Sequence, residues 1–382
     1  MNTRIPSFLS RPVALAAAAL ATALLAAGPA QAAHGVAATA GQADATPSSR
    51  PLPVVASFSI LADLVKQVGG DRVAVESLVK AGGDTHVFQP GPAQVRQLSS
   101  ASLVVVNGLG FEGWMPRLIG SSGYKGPVVE AARGLQAMKA TDDHHHHGDD
   151  ADEDDHDHDG PHGHDHDHDG PHGHDHDHEE DGPHGHSHAD HDHDEASHGH
   201  HHHHHGGLDP HAWQDALNVR HYVANIAEGL CQAAPADCGG FRERARAYDQ
   251  KLLALDQEIH QAVDATPTDR RRVMVSHAAF GYYGRAYHIT FMAPVGISTE
   301  EEPSAAVVAN LIRQARQQNV QAFFFENNSD PRLLKRMASE LKNVTIGELY
   351  ADSLSPANGP AADYLSMMRY NTRAITQALS KK

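Results

Sequence analysis

Short apolar runs alternate with helical patterns along most of this chain. Strands are predicted at residues 53–57, 73–79, 103–107, 128–130, 273–276, 289–293, 322–326 and 344–348. Helices are predicted at residues 60–68, 91–101, 114–119, 216–230, 241–265, 279–286, 304–318, 330–341 and 361–379. Because strands that alternate with helices form βαβ units, the pattern predicts an α/β fold with parallel sheets.

The longest helical pattern separates the two βα regions. Its apolar residues recur every three or four positions, which is the spacing of one helix face. They are Phe241, Ala245, Tyr248, Leu252, Leu255, Ile259 and Val263. We therefore predict two βα lobes joined by a long rigid linker helix, with the ligand site in the cleft between them, where the strands end. The predicted limits are residues 51–239 for the N-terminal lobe, 240–268 for the linker helix and 269–382 for the C-terminal lobe.

Residues 142–205 break this pattern and form a His/Asp-rich insert. The insert holds 26 of the 33 histidines, 22 of the 48 acidic residues and no lysine or arginine. The rest of the chain therefore has 26 acids against 30 basic residues, so the insert carries all of the net negative charge of −18 and the rest is slightly positive. With few apolar groups and this charge, the insert is predicted to be disordered.

The alternation of imidazole and carboxylate in the insert is typical of segments that collect divalent transition metals. The decapeptide DGPHGHDHDH occurs at residues 159–168 and again at 169–178. A merely solvated polyelectrolyte linker, or a purification tag, is the alternative. The histidines predicted to bind metal here are His144, His145, His146, His147, His164, His166, His174, His176, His200, His201, His202, His203, His204 and His205.

The N-terminus reads as an export signal over residues 1–32. Arg4 and Arg11 supply positive charge, an apolar run follows, and residues 30–32 read Ala-Gln-Ala, a typical cleavage site. No cysteine follows directly, which disfavours a lipid anchor. We therefore expect a periplasmic protein whose mature chain is disordered over residues 33–50.

The chain has two cysteines, Cys231 and Cys238. In an oxidising compartment disulfides persist, and the short separation across Pro235 suits a local bridge that closes the end of a helix. Two buried thiols are the alternative. A metal role is disfavoured because the chain has no second cysteine pair.

Three histidines outside the insert lie where parallel sheets present ligands. His86 follows a predicted strand, His211 precedes a helix, and His277 ends a strand. Asp352 follows the last strand and would add a carboxylate. Three imidazoles and one carboxylate form a closed tetrahedral set that suits Zn²⁺. From spacing alone, each single histidine is more often a loop or core residue.

Seven stretches of the chain resemble the cluster 9 (cluster A-I) substrate-binding proteins of ABC transporters, which bind zinc or manganese, and in particular the periplasmic zinc-binding members. They are VVASFSILADLVKQVGGDRV, GGDTHVFQPGPAQV, VVVNGLGFEGWM, LDPHAWQD, SHAAFGYYGRAY, APVGISTEEEPSA and LYADSLSP. The stretches occur in the family's order, with the insert where zinc members often carry one. The resemblance implies two lobes around a rigid helix, one high-affinity metal site in the cleft, and delivery to a membrane permease.

The resemblance also implies the metal ligands. The matching positions are His86, His211, His277 and Asp352. Manganese members have a carboxylate at the third position, so His277 favours zinc. Some zinc members place a glutamate before the first histidine, where this chain has Thr85. Glu326 is the rival oxygen ligand, although we favour a structural role for it.

We therefore predict a periplasmic protein that captures Zn²⁺ and hands it to an ABC permease, while the insert collects or buffers zinc. A monomer is expected, and a periplasmic metallochaperone is a further candidate partner. The alternatives are a manganese or iron carrier of the same family, and a His-rich storage protein or metallochaperone without a permease. A zinc hydrolase is disfavoured because no general base or nucleophile motif accompanies the histidines. Nucleic-acid binding is disfavoured because the chain lacks a basic stripe.

Overall fold

The structure is a computed structural model that describes residues 50–140, 207–300 and 302–380. The predicted signal peptide and the His/Asp-rich insert lie outside the described residues. So does the predicted disordered stretch, apart from Arg50. None of the described helices combines the length and apolar character needed to cross a bilayer.

The first lobe is built on a four-stranded parallel sheet. Its elements are β1 (Leu52–Phe58), α1 (Ser59–Gly69), β2 (Val73–Val79), α2 (Pro92–Ser99), β3 (Leu103–Val106), α3 (Met115–Ser122) and β4 (Val128–Glu130). The strand order is β2-β1-β3-β4, with each neighbouring pair parallel. Two helices, α4 (Ala216–Ala233) and α5 (Cys238–Asp264), follow in the chain.

The second lobe repeats the plan with another four-stranded parallel sheet. Its elements are β5 (Arg272–Val275), α6 (Gly281–Tyr287), β6 (Thr290–Met292), α7 (Ala305–Gln317), β7 (Ala322–Glu326), α8 (Arg332–Ser339), β8 (Thr345–Leu349) and α9 (Tyr364–Ser380). The strand order is β6-β5-β7-β8. The predicted α/β fold with two parallel-sheet lobes is thereby confirmed.

The helix that was predicted to link the lobes has different ends in the structure. It begins at Cys238 rather than residue 240 and stops at Asp264, before a separate 3₁₀ turn at Thr268–Arg270. Pro267 explains the early stop, because a proline disfavours helical backbone in the residue before it. The predicted apolar stripe of this helix is buried along its whole length.

Strand alternation divides the apolar residues between a central core and two outer layers. In β1, Val54 and Ala56 belong to the central core, whereas Val55 faces the layer formed with α2 and α3. In β7, Phe324 belongs to the central core and Phe323 to the layer with α7 and α8. The central core also includes α5 and α9, so both lobes share one continuous core.

Several polar contacts fix the start of α5 to the first lobe. A disulfide joins Cys231, near the end of α4, to Cys238, as the sequence suggested. Arg244 donates to the backbone carbonyls of Val68 and Gly69, at 2.7 and 2.9 Å. These carbonyls end α1, where a helix lacks internal partners and favours a cation. The linker helix is therefore tied to the lobe that precedes it.

Gly229 allows α4 to lie directly on β4. A Cβ at this position would overlap the Cγ2 atom of Val129, whose branched side chain has little freedom to move. We therefore expect Gly229→Ala to lower the free energy of unfolding by about 1–3 kcal/mol. Urea unfolding of the metal-free protein measures this change.

Gly239→Ala is the matched control, because a Cβ there meets no atom within 4 Å and Gly239 also lies in a helix. The control should be neutral or slightly stabilising. Equal stability of the two variants would show that α4 does not need the close approach to β4.

Candidate metal centre

Four side chains from distant parts of the chain converge at one point: His86, His211, His277 and Asp352. One nitrogen or oxygen atom of each lies within 4.8 Å of the others. His86 follows β2, His277 follows β5 and Asp352 follows β8, at the carboxyl ends of the parallel strands. His211 directly precedes the 3₁₀ turn Ala212–Gln214 that leads into α4. The structure thus brings together all four residues that the sequence singled out.

The distances between these atoms suit a small tetrahedral ion. Nε2 of His211 lies 3.4 Å from Nε2 of His86 and 3.6 Å from Oδ1 of Asp352. Oδ2 of Asp352 lies 3.1 Å from Nε2 of His277 and 3.5 Å from Nε2 of His86. Ligands about 2.0–2.2 Å from a tetrahedral centre are separated by roughly 3.3–3.6 Å, so this spacing fits zinc bond lengths.

Three of these atoms are buried without a hydrogen-bond partner among the described residues. The side chains of His211 and Asp352 are fully buried, and that of His277 is 1% exposed. Within the part of the chain that the structure describes, no hydrogen bond reaches Nε2 of His277 or either carboxylate oxygen of Asp352. Since buried polar atoms are nearly always paired, this set of orphaned atoms calls for a cation among them.

Two of the histidines are presented by the same local turn. In Asp84-Thr85-His86 and in Asp209-Pro210-His211, the aspartate accepts a hydrogen bond from the histidine backbone nitrogen, at 2.9 Å in each case. An aspartate that bonds to the backbone two residues on forms an Asx turn. This repeated Asp-x-His pattern is visible in the sequence, and it was the signal for the two aspartates that sequence reasoning missed.

Carboxylates also orient two imidazole rings from behind. Oδ1 of Asp209 lies 2.8 Å from Nδ1 of His211, and Oε2 of Glu326 lies 2.5 Å from Nδ1 of His277. A carboxylate at Nδ1 holds the proton there and leaves the Nε2 lone pair free for a metal. Glu326 therefore contacts the outer nitrogen of His277, whereas Asp352 faces the inner one.

The loop that carries Asp352 is fastened to the rest of the cleft on both sides. The carbonyl of Ala351 accepts hydrogen bonds from Nε1 of Trp213 and Nε2 of Gln214, both at 2.9 Å. On the other side, the hydroxyl of Ser353 accepts a hydrogen bond from the backbone nitrogen of Gly82 at 2.6 Å. These contacts fix the carboxylate relative to the segments that carry His211 and His86.

Aromatic rings line the wall behind the histidines. The ring of Phe111 lies 4.9 Å from that of His86, and the ring of Trp213 lies 5.2 Å from that of His211. Phe111 and Trp213 also contact each other edge-on. Such a wall lowers the local dielectric, which strengthens the attraction between the carboxylate and a cation.

The carboxylates and imidazoles shift one another's proton affinities. Burial alone would raise the pKa of Asp352, but His277 and His211 more than offset it and hold that pKa well below its usual value. Burial alone would lower the pKa of His277, yet Glu326 and Asp352 hold it well above the ordinary value. Burial lowers the pKa of His86. Without a metal, His277 therefore favours its protonated form, whose charge balances that of Asp352.

A three-nitrogen, one-oxygen site between two parallel α/β lobes defines a solute-binding protein for a divalent metal. The family model described as the periplasmic component A of the zinc-uptake complex matches residues 54–378. The chain belongs to this family. It is therefore a metal-binding substrate-binding protein of an ABC transporter, with a membrane permease as partner, and it is not an enzyme.

Individual relatives agree with this assignment. The chain is 26% identical to the metal ABC transporter substrate-binding lipoprotein ScbA of Streptococcus cristatus, over 91% of this chain and 95% of the relative. It is also 26% identical to the manganese ABC transporter substrate-binding lipoprotein PsaA of Streptococcus anginosus, over 91% of this chain and 94% of the relative.

Solved structures share the fold. The periplasmic zinc-binding protein TroA of Treponema pallidum superposes with a TM-score of 0.67 at 22% identity, over 87% of this chain and 100% of that one. A manganese-bound periplasmic metal-binding protein of Candidatus Liberibacter asiaticus gives a TM-score of 0.63 at 21% identity, over 85% of this chain and 98% of that one. Both likenesses confirm the two-lobe fold.

The raised pKa of His277 predicts that metal binding releases a proton. Because a metal needs the neutral ring, affinity should fall as the pH is lowered through this pKa. Among the groups that raise the pKa of His277, the Glu326 carboxylate contributes most. Glu326→Gln should therefore move the pH midpoint of zinc binding to lower pH, and reduce proton release at pH 7 by up to about one proton per ion.

Calorimetry in buffers of different ionisation enthalpy counts the released protons. The insert is the same in both proteins, so the difference between variant and parent isolates the cleft. Glu340→Gln, an exposed position after α8, is the control. An unchanged proton count in Glu326→Gln would refute the role assigned to Glu326.

Proposed function

We propose that this protein captures Zn²⁺ in the periplasm and delivers it to the membrane permease of a zinc ABC transporter. The ligands of the cargo ion are His86, His211, His277 and Asp352. The observation that carries this proposal is the convergence of three imidazole nitrogens and one carboxylate at tetrahedral spacing. Among the described residues, Nε2 of His277 and both carboxylate oxygens of Asp352 are buried there without a hydrogen-bond partner.

The donor set is the reason to prefer zinc over manganese. Imidazole nitrogen suits zinc, whereas manganese favours carboxylate, carbonyl and water oxygen in octahedral geometry. The description of the matching family model as a zinc-uptake component supports the same choice. Four protein ligands in tetrahedral arrangement are also the usual coordination of zinc in closed sites.

Manganese is the second candidate, because several relatives are named for it. The relatives from Streptococcus anginosus and Halalkalibacterium halodurans are both described as manganese proteins, at 26% and 25% identity. The third imidazole distinguishes the two cases, since it adds a nitrogen where a manganese site is expected to have an oxygen. The residue at position 277 therefore decides the metal in this proposal.

The His/Asp-rich insert would collect or buffer zinc close to the cleft. The residues that flank it pair with each other: Lys139 pairs with Leu208 in an antiparallel bridge, and the nitrogen of Ala140 donates to the carbonyl of Gly207 at 2.9 Å. The second flanking segment, Gly207-Leu208, leads directly into Asp209, whose carboxylate orients the ring of His211. Because the insert is joined through Gly207 and Leu208 to the segment that carries His211, transfer from the insert to the cleft would be effectively intramolecular. The insert would also serve as the docking segment for a periplasmic metallochaperone.

Deleting residues 142–205 separates the two classes of site. The deletion variant should bind one zinc ion tightly, because all four proposed ligands lie outside the deleted segment, while the weaker sites disappear. Titration with a competing chromogenic chelator measures both the affinity and the number of ions. If the tight site disappeared with the insert, the cleft would not be the high-affinity site.

Competition between zinc and manganese tests the choice of metal in the same deletion variant. We expect the deletion variant to bind zinc more tightly than manganese. His277→Asp should reduce the ratio of the two affinities, because it replaces one nitrogen donor by oxygen. His221→Asp is the control, since His221 is an exposed residue of α4. A parent protein that prefers manganese would instead support the second candidate.

A further inference from the structure

The four proposed ligands differ in how deeply they and the hydrogen bonds around them are buried. Around His211 and Asp352, the contacts that cross between the lobes are fully buried: Trp213 donates to the carbonyl of Ala351, and the hydroxyl of Tyr282 donates to the carbonyl of Asp209 at 3.0 Å. These bonds form a fixed side of the cleft. His86 lies on the other side and is the most exposed of the four, at 6% of its side chain.

His86 is carried by residues 80–86, here called the strap, which continue from β2 of the first lobe. Two partly buried hydrogen bonds tie the strap to the second lobe. The backbone nitrogen of Gly82 donates to Ser353, and the hydroxyl of Thr299 donates to Oδ2 of Asp84 at 2.8 Å. These two bonds are less buried than those of the fixed side. We therefore expect the strap side of the cleft to need the smaller free energy for local opening.

The hydrogen bond from Thr299 is connected to His86 through the side chain of Asp84. Oδ2 of Asp84 accepts from Thr299, while Oδ1 of the same carboxylate accepts from the backbone nitrogen of His86 at 2.9 Å. The neighbouring Ser298 is used differently, since its hydroxyl accepts from the backbone nitrogen of Glu300 within its own loop. Among the described residues between β6 and α7, Thr299 is therefore the one that hydrogen-bonds to the strap.

We propose that Thr299 is a positioning residue that latches the strap over the bound metal and sets how slowly the ion is released. This inference rests on the proposed function, in which His86 is a ligand of the cargo ion. The ion leaves on the His86 side, after the hydroxyl of Thr299 has parted from Asp84. The residue touches no metal and acts only through the carboxylate that fixes the strap.

The two tryptophans of the chain offer a readout that is specific to the cleft. Trp114 donates from Nε1 to the carbonyl of Thr85, next to His86, and Trp213 packs on His211. The insert contains no tryptophan. The full-length protein can therefore be loaded with zinc and mixed with excess EDTA in a stopped-flow fluorimeter, where tryptophan fluorescence follows release from the cleft.

Removing the hydroxyl should accelerate release. A hydrogen bond to a charged group contributes about 1.5–3 kcal/mol, so we expect Thr299→Val to release zinc about ten times faster or more. Thr299→Ser keeps the hydroxyl and should release at the parental rate. Thr376→Val, which removes a threonine hydroxyl from α9, is the control and should leave release unchanged.

A double variant separates a latch from a general structural effect. In an Asp84→Ala background the acceptor is gone, so Thr299→Val should cause no further acceleration. Thr299→Ala replaces the valine variant if that one does not fold. Unchanged release in the single variant, fast release in the serine variant, or additive acceleration in the double variant would each overturn the latch.

Failure of the proposed function gives a different result. In that case zinc would not change the tryptophan signal of the parent protein, or His277→Ala would bind zinc in the cleft as tightly as the parent. If the parent shows slow release that His277→Ala abolishes, the cleft site stands, and the Thr299 variants then decide the latch alone.

Discussion

The structure depends on one buried carboxylate and the three imidazoles that face it. Asp352 is fully buried, and no hydrogen bond reaches its oxygens within the described part of the chain, so its charge must be balanced by what lies beside it. A protonated His277 supplies that balance without a metal, and a divalent cation supplies it better. The desolvation cost of the carboxylate thereby becomes a driving force for binding a cation.

The fold provides what this arrangement needs, because no local segment could hold the four groups alone. His86 and His211 are carried on the side of the first lobe, and His277 and Asp352 follow strands of the second. The long helix α5 and the shared central core fix the distance between the lobes. A metal bound by both lobes therefore ties them together, which suits a carrier that must hold its cargo and later release it.

The sequence predicted the two lobes and the eight strands found among the described residues, and the family resemblance implied the four converging residues. The strands were predictable because each is short, apolar and bounded by turn residues, and helix ends were least certain because capping depends on tertiary contacts. The start of α5 at Cys238 is an example, since the disulfide and Arg244 fix it. A single histidine outside the insert could not be recognised as a metal ligand from its spacing. The family resemblance identified which histidines match the ligand positions.

The side chains that support the site were harder to predict. The roles of Asp84 and Asp209 could have been predicted, because both belong to the repeated Asp-x-His pattern. No sequence pattern indicates the contact between Thr299 and Asp84, because it joins residues 215 positions apart and depends on how the lobes are placed. Glu326 was expected to be structural, and its position on Nδ1 of His277 suggests that it also tunes the site.

Diffraction data collected at the zinc absorption edge, from crystals grown with one equivalent of Zn²⁺, would show directly whether His86, His211, His277 and Asp352 hold a single ion. We expect an anomalous peak between the lobes, about 2.0–2.2 Å from Nε2 of all three histidines and from an oxygen of Asp352. A peak elsewhere, with the four side chains too far apart to share one ion, would contradict it.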